Sequence, residues 1–581
     1  MAILGIDVGG TFTDAVLLAG GELRIAKVPT ARAQESSVVE AATEVGAAAA
    51  GLDRFTHGTT IATNALLERK GARTAFVGTA GFEHLLHLRR QTRAHLYRLC
   101  DGHPEPLVPL ERCVGIRERV GPDGVVEQLD LGSLPQIEAE AVAICLLFSF
   151  LDPTHERLVA EELRRRLPDA HVVASHQVAP EFREYERAST TAVDAYLGPV
   201  LGDYLRLLAD RCREAGLSEP LVMRSSGGVC TLAEAARHPS LALVSGPAAG
   251  VVGAAQVAAL AGVENAISLD MGGTSTDVCL IAGGQIQRGG EREVGGFPIR
   301  LPTVDLQTVG AGGGSIVWRD SGGALRVGPQ SAGADPGPAC YGRGGLEPTV
   351  TDANLVLGRL PDALAGGLEL DRAAAERALG DLEPQEIVDV VNAEMLRALR
   401  LVSVERGHDP RDFALVAFGG AGPLHACELA DELGIGKVLV PAAAGVLSAL
   451  GLVASEERRD TVRSYVVPFE DAGPLPRRGE ADLRYAGQSF ELTVPLEGDP
   501  VGSFHGAHEE RYGYADRDRA VELVAVRTAE VVPGPELDLR GGEPLAVRGP
   551  TVVELEGATC WAPPGWEGVR DGNSTLILTT A

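Results

Sequence analysis

One eight-residue pattern occurs twice in this 581-residue chain, as Asp7-Val8-Gly9-Gly10-Thr11-Phe12-Thr13-Asp14 and as Asp270-Met271-Gly272-Gly273-Thr274-Ser275-Thr276-Asp277. The copies agree at six of eight positions. Each follows an apolar run (Ile3 to Ile6, Ala266 to Leu269) and precedes another (Ala15 to Leu18, Val278 to Ile281). Strand, glycine-rich turn, strand predicts a β-hairpin at both places. A duplicated hairpin predicts two related subdomains that face each other across a cleft.

The residue types in the pattern suit phosphate. Adjacent glycines lack Cβ atoms, so successive backbone N–H groups can converge on phosphate oxygens. Thr11, Thr13, Thr274, Ser275 and Thr276 add hydroxyls. Asp7 and Asp270, at strand ends, are placed to hold a hydrated Mg²⁺, an ion that keeps its waters and takes few carboxylates. One copy alone reads better as a tight turn satisfying its own backbone. Two copies point to a nucleotide cleft that holds Mg²⁺, Asp14 and Asp277 closing the hairpins. A third glycine-rich turn, Gly419-Gly420-Ala421-Gly422, follows the apolar run Ala414 to Phe418 and would let an adenosine lie against bare backbone. The small-residue stretch Ser245 to Gly250 would let two subdomains approach closely and hinge.

Strand-like and helix-like runs alternate elsewhere, which predicts an α/β protein. Arg73 to Gly78, Val142 to Phe148 and His171 to Ser175 read as strands, Pro153 to Leu167 and Glu181 to Leu197 as helices. Ile387, Val391, Met395, Leu399 and Val402 form one helical stripe. Beyond about Arg459 the texture becomes short strands with Pro and Gly turns, such as Ser489 to Val494 and Val521 to Val526. The expected division is 1–195, with the first phosphate loop; 196–458, with the second phosphate loop and the adenosine loop; and a small β-rich domain, 459–581. At roughly 150 residues per domain the length agrees.

Composition narrows the partners. With 80 Asp and Glu against 52 Lys and Arg the net charge is −28, which argues against nucleic acid or an anionic membrane. Nine cysteines, Cys100 and Cys340 among them, include no C-x-x-C pair. That pattern and the absence of a basic-then-apolar leader predict a cytoplasmic protein. The uncharged stretch Pro239 to Val263 is rich in Gly, Ala and Ser and predicts a packed internal helix, not a membrane span.

The order of the three turns resembles the ATPase fold shared by actin, sugar kinases and the large heat-shock chaperones. Further segments narrow the resemblance: His57-Gly58-Thr59-Thr60-Ile61-Ala62-Thr63-Asn64, Glu184 to Arg187 with Ser189 to Thr191, Ser331 to Gly342, Thr349 to Asn354, Arg484 to Gln488 and Glu510 to Tyr514. Over nearly the whole chain these are similar to the hydantoinase A/5-oxoprolinase family. The resemblance implies an ATP-dependent hydrolase of cyclic amides such as hydantoins, 5-oxoproline or lactams. It implies Asp7 and Asp270 near metal and γ-phosphate, with His57, Thr59, Thr60 and Asn64 on the substrate side. A turn followed by a helix explains those last four equally well. Family members of this length imply a separate B-type subunit as partner, and a homo- or hetero-oligomer. The alternatives are a subunit of a ketone carboxylase and, from another class, a regulatory or chaperone-like ATPase. The chain is shorter than typical members, with the shortening near Val462 to Arg484.

Several other features carry less. The pairs His84/His87 and His505/His508 lack a third ligand nearby in sequence and predict structural histidines. Cys340 has no partnered histidine and reads as a bystander. The run Gly310 to Ser315 misses the dinucleotide fingerprint, with Ser where its last Gly belongs.

Overall fold

The computed structural model describes residues 1–98, 102–364, 368–537, 539, 543–555 and 557–580, so Cys100 lies outside the described residues. Both predicted hairpins form. Ala2–Val8 pairs antiparallel with Phe12–Ala19, placing Asp7 opposite Asp14. Ala266–Met271 pairs in the same way with Thr276–Ala282, placing Asp270 opposite Asp277. Ile3, Leu4, Ile6 and Val8 are all buried, as are Ile267, Leu269 and Met271. Successive apolar residues suit strands covered on both faces.

Each hairpin anchors one large sheet and has a parallel neighbour on its first strand. In the ten-stranded sheet that neighbour is Arg54–Thr59. In the nine-stranded sheet it is Ala414–Phe418. Separate apolar cores lie against the two sheets. A smaller parallel sheet, in the order His171–Ala174, Ala141–Cys145, Thr74–Thr79, Cys113–Ile116, has its own core.

Between the large sheets, helix Ser245–Leu260 packs on helix Leu447–Ala454. Their approach leaves no room for side chains at the contact. A Cβ on Gly451 would lie 1.9 Å from the Ala249 carbonyl oxygen, and one on Gly253 would lie 2.7 Å from that of Leu447. Of the stretch Pro239 to Val263, expected as one internal helix, Ser245–Leu260 is that helix; a short 3₁₀ turn, Pro239–Ala242, precedes it and the left-handed Val244 separates the two. Among the described residues no helix is long and apolar enough to cross a membrane. The predicted stripe of helix Pro384–Val402 is fully buried.

Two expectations need correction. The helix expected over 181–197 runs from Glu184 to Glu214, with Pro199 inside it. A boundary between 195 and 196 would therefore cut a continuous helix. Gly198 is needed at that point, because a Cβ there would lie 2.1 Å from the His171 ring. The region after 459 is β-rich, but its strands enlarge both large sheets instead of standing apart. Glu457–Pro468, Glu480–Tyr485, Leu492–Pro495 and Val521–Val532 extend the first, while Ala546–Arg548, Trp566–Arg570 and Thr575–Thr580 extend the second. Backbone edges that would otherwise be bare are covered this way.

Buried charge ties this region to the rest. Glu181 is 3% exposed and accepts from Arg300 at 2.8 Å and from Arg527 at 2.7 Å. Arg527 also reaches Asp482 at 2.9 Å, and Arg183 at the start of the long helix pairs with Glu491. Of the other sequence candidates, the second histidine pair is structural. His505 bonds the Tyr485 hydroxyl at 2.7 Å and His508 donates to the Tyr514 carbonyl at 2.8 Å. His84 directly precedes the four-residue helix that carries His87. Cys340 is fully buried, and burial pushes its thiol up.

Candidate active site

The two phosphate-type turns present the same framework. In the first, Gly9 N–H donates to the Phe12 carbonyl at 2.9 Å, leaving Gly10 and Thr11 exposed at the tip. In the second, Gly272 N–H donates to the Ser275 carbonyl at 3.1 Å, with Gly273 and Thr274 exposed. Thr13 and Thr276 occupy equivalent buried places. The hydroxyl of Thr13 meets that of Thr30 at 3.0 Å, and Thr276 Oγ1 donates to the Ala311 carbonyl at 2.6 Å. These two hydroxyls brace the hairpins from behind and do not face the tips.

Asp7 closes the first strand in register with Gly58 on one side and Asp14 on the other. A Cβ on Gly58 would lie 2.5 Å from Asp7 Oδ1, and one on Gly246 would lie 3.4 Å from it. Oδ1 is buried and has no hydrogen-bond partner. Burial, and then the charge of Asp14, raise the Asp7 carboxyl to about 7, against the pull of Lys27. Asp270 is raised to about 8 by burial first, then by Asp277, Asp7 and Asp14. Carboxylates from both hairpins therefore feel one another across the space between the sheets. An unpartnered buried carboxylate oxygen beside a second raised carboxylate is a setting that a divalent cation would relieve. Among the described residues no group of three or more His, Cys, Asp or Glu forms a ready cage. A cation bound mainly through waters, such as Mg²⁺, fits that donor set.

The third turn lies against the second hairpin. Gly419 takes φ +78°, and a Cβ there would lie 2.4 Å from Asp270 Oδ1. Ala421 N–H donates to the Met271 carbonyl at 2.9 Å, Gly420 is open, and Gly422 begins helix Gly422–Leu433.

Sequence reasoning set aside Gly310 to Ser315, and the structure gives that run a role. Gly313 N–H donates to Gly272 O at 3.0 Å and Gly314 N–H to Gly273 O at 2.8 Å. Ser331 Oγ donates to Gly273 O at 3.2 Å, and a Cβ on Gly312 would lie 2.6 Å from Thr274 N. The run backs the second phosphate turn. Its signal in the sequence was glycine density immediately C-terminal to a strand, which one fingerprint did not exhaust.

The four substrate-side candidates are distributed unequally. His57 is fully buried; its Nδ1 donates to the Ile6 carbonyl at 3.3 Å and its Nε2 accepts from Tyr204 Oη at 2.8 Å. Burial lowers its pKa to about 4, so it stays neutral. Thr59 is also buried: Ser245 Oγ accepts from its N–H at 3.3 Å and donates to its carbonyl at 2.9 Å. Thr60 follows directly, level with the first phosphate turn, and its buried hydroxyl has no partner. Asn64, half-buried, lies one turn into helix Ile61–Leu67. Thr63 Oγ1 accepts from Val244 N–H at 3.0 Å and so fixes the strained residue (φ +50°) that begins helix Ser245–Leu260.

Duplicated hairpins, each flanked by a parallel strand and joined through crossing helices, define a mixed α/β fold of two related halves, as the resemblance to the actin and sugar-kinase ATPase fold implied. Within that class the chain belongs to the hydantoinase/oxoprolinase family: residues 3–167 match its N-terminal region and residues 187–461 match the hydantoinase/oxoprolinase family proper. The caprolactamase alpha subunit of Pseudomonas jessenii is 33% identical, covering 99% of both chains. That alignment runs over 686 positions against 581 residues here, so the relative carries segments that this chain lacks. The acetophenone carboxylase gamma subunit of Aromatoleum aromaticum is 36% identical over 77% of this chain and 67% of its own. 5-oxoprolinase 1 of Arabidopsis thaliana is 36% identical over 74% of this chain but only 38% of its own length. The crystal structure of the ATP-dependent caprolactamase from Pseudomonas jessenii superposes with a TM-score of 0.86 at 32% identity, covering 100% of each chain.

Proposed function

We propose that the protein is the ATP-binding subunit of an ATP-dependent cyclic-amide hydrolase, acting with a separate B-type subunit in the cytoplasm. The observation that carries this reading is end-to-end correspondence with the caprolactamase alpha subunit, in sequence and in structure. An amide carbonyl resists water; ATP supplies the activation, because phosphorylating the amide oxygen leaves the ring carbon open to hydrolysis of its C–N bond. What the chain contributes is position and charge. Asp7 and Asp270 would organise Mg²⁺ and water. Backbone N–H groups at Gly10, Thr11, Gly273 and Thr274 would face phosphate oxygens, and Gly419, Gly420 and Gly422 would flank the adenosine. Of the four residues on the substrate side, Thr60 and Asn64 remain candidates for contact, with His57 and Thr59 holding the segment in place. We propose subdomains that meet after the long helix, near residue 244, each completed by strands from beyond 456.

The acetophenone carboxylase gamma subunit supports a second reading, a ketone carboxylase subunit. One experiment separates the two. The chain is combined with its B-type subunit, Mg-ATP and either caprolactam or a ketone with labelled bicarbonate. Ring opening stoichiometric with phosphate release supports the hydrolase; label fixed in acid-stable product supports the carboxylase. Neither, at full ATP binding, would overturn both.

A further inference from the structure

Lys27 stands in one cross-strand row with two of the cleft carboxylates. Asp14 pairs with Asp7 on one side and with Lys27 on the other. The Lys27 ammonium donates to Asp14 Oδ1 at 2.7 Å and to the Gly445 carbonyl at 3.2 Å. These acceptors belong to different halves of the molecule. Gly445 lies in the turn Ala444–Val446, between strand Lys437–Pro441 of the second large sheet and helix Leu447–Ala454. The adjoining carbonyl, Ala444 O, accepts from Gly419 N–H at 2.9 Å. One short turn therefore offers consecutive carbonyls, the first to the adenosine turn and the second to Lys27, which lies on strand Glu22–Pro29 beside the second strand of the first phosphate hairpin. Its position is fixed from behind as well: a Cβ on Gly445 would lie 2.3 Å from the Gly557 carbonyl, at the tip of the hairpin Thr551–Leu555 and Ala558–Ala562.

We propose that Lys27 is the positioning residue that ties the first phosphate hairpin to the adenosine turn through Gly445. The inference rests on the nucleotide reading above. A charged donor shared between a carboxylate and a carbonyl is stronger than a neutral hydrogen bond. It also offsets one of the negative charges that crowd the cleft. Without it Asp14 faces Asp7 uncompensated, and the hairpin loses its link to the turn that orients Gly419.

The test is calorimetric titration of the full-length chain with Mg-ATP for the wild type, K27M, K27Q, K27R and D270N, with thermal denaturation of each. We expect K27M and K27Q to bind about tenfold more weakly or worse, K27R to stay within about threefold of wild type, and all three to keep a near-native Tm. Rescue by Arg separates a role for the charge from simple loss of packing. Binding by K27M or K27Q within about twofold of wild type, while D270N loses binding, would overturn the proposal. Equal loss in K27Q and K27R would overturn it too, because charge and reach would then not matter. No binding by the wild type would defeat the nucleotide reading itself, and this inference with it.

Discussion

Gly58 lies in parallel register beside Asp7, and a β-carbon on it would sit 2.5 Å from the Asp7 Oδ1. The glycine thus reserves the space in which that carboxylate turns. Gly58→Ala is expected to displace Asp7 and weaken Mg-ATP binding at least tenfold, at a cost in stability of about 1–3 kcal/mol. Titration calorimetry and chemical denaturation would read the two effects. Unchanged binding would show that Asp7 does not depend on this space.

The raised carboxyls of Asp7 and Asp270 give a pH signature. Unfolded, both groups ionise near 3.8; folded and ligand-free, they hold their protons to about 7 and about 8. Between those limits the folded chain binds more protons than the unfolded one, so stability falls as pH rises from about 4 towards 8. Asp270→Asn is expected to stabilise the ligand-free protein by roughly 1–3 kcal/mol at pH 8, to change little near pH 4, and to abolish Mg-ATP binding. Denaturation at the two pH values checks the sign.

His57 predicts the opposite slope. Its neutral ring is locked between the Ile6 carbonyl and the Tyr204 hydroxyl, with a pKa lowered to about 4. Below pH 6.5 the unfolded chain takes up a proton that the folded one refuses, so this contribution to stability is lost as pH falls from 6.5 towards 4. Tyr204→Phe should cost about 1 kcal/mol and leave Mg-ATP affinity within about twofold. A large loss of affinity in a stably folded Tyr204→Phe variant would instead tie His57 to nucleotide binding.

The backing of the second phosphate turn is testable with little disturbance. Ser331→Ala removes the hydroxyl whose one proton is shared between Gly273 O and Gly314 O, both at 3.2 Å. Mg-ATP affinity should fall by about three- to tenfold with a Tm change of only a few degrees. Gly312→Ala, whose Cβ would meet backbone atoms of Gly273 and Thr274 at 2.6 Å, should abolish binding.

Arg527 tests how the C-terminal strands are held. Truncating it to Ala strips Glu181 and Asp482 of a shared partner while both stay buried. The expected loss is about 3–5 kcal/mol, far more than for an exposed pair such as Lys70–Glu68.

Much of this site was legible because its parts are local. A glycine-rich turn between two apolar runs carries its whole hairpin in one contiguous segment, Ala2 to Ala19, and repetition supplied the partner hairpin. Ala414–Phe418 and its turn were equally local. What was not legible depends on distant chain. Nothing near Thr13 says that its hydroxyl will be taken by Thr30, and nothing near His57 announces Tyr204. The long helix passes Pro199 because tertiary packing, with the His171 ring on Gly198, outweighs the local breaker. The strands after 459 read as an appendage because alternation reveals a strand but not which edge will receive it.

The strand Thr575–Thr580 lies between Lys437–Pro441 and Trp566–Arg570. On the ribosome its earlier neighbour emerges long before it does. At 5–20 residues per second the edge of Lys437–Pro441 waits on the order of ten seconds with nothing to pair with. Val438, Leu439 and Val440 make that edge apolar, a template for the wrong neighbour. The nascent chain, more than the finished enzyme, is where this architecture is vulnerable, and substitutions in 575–580 should reduce soluble yield before they reduce specific activity.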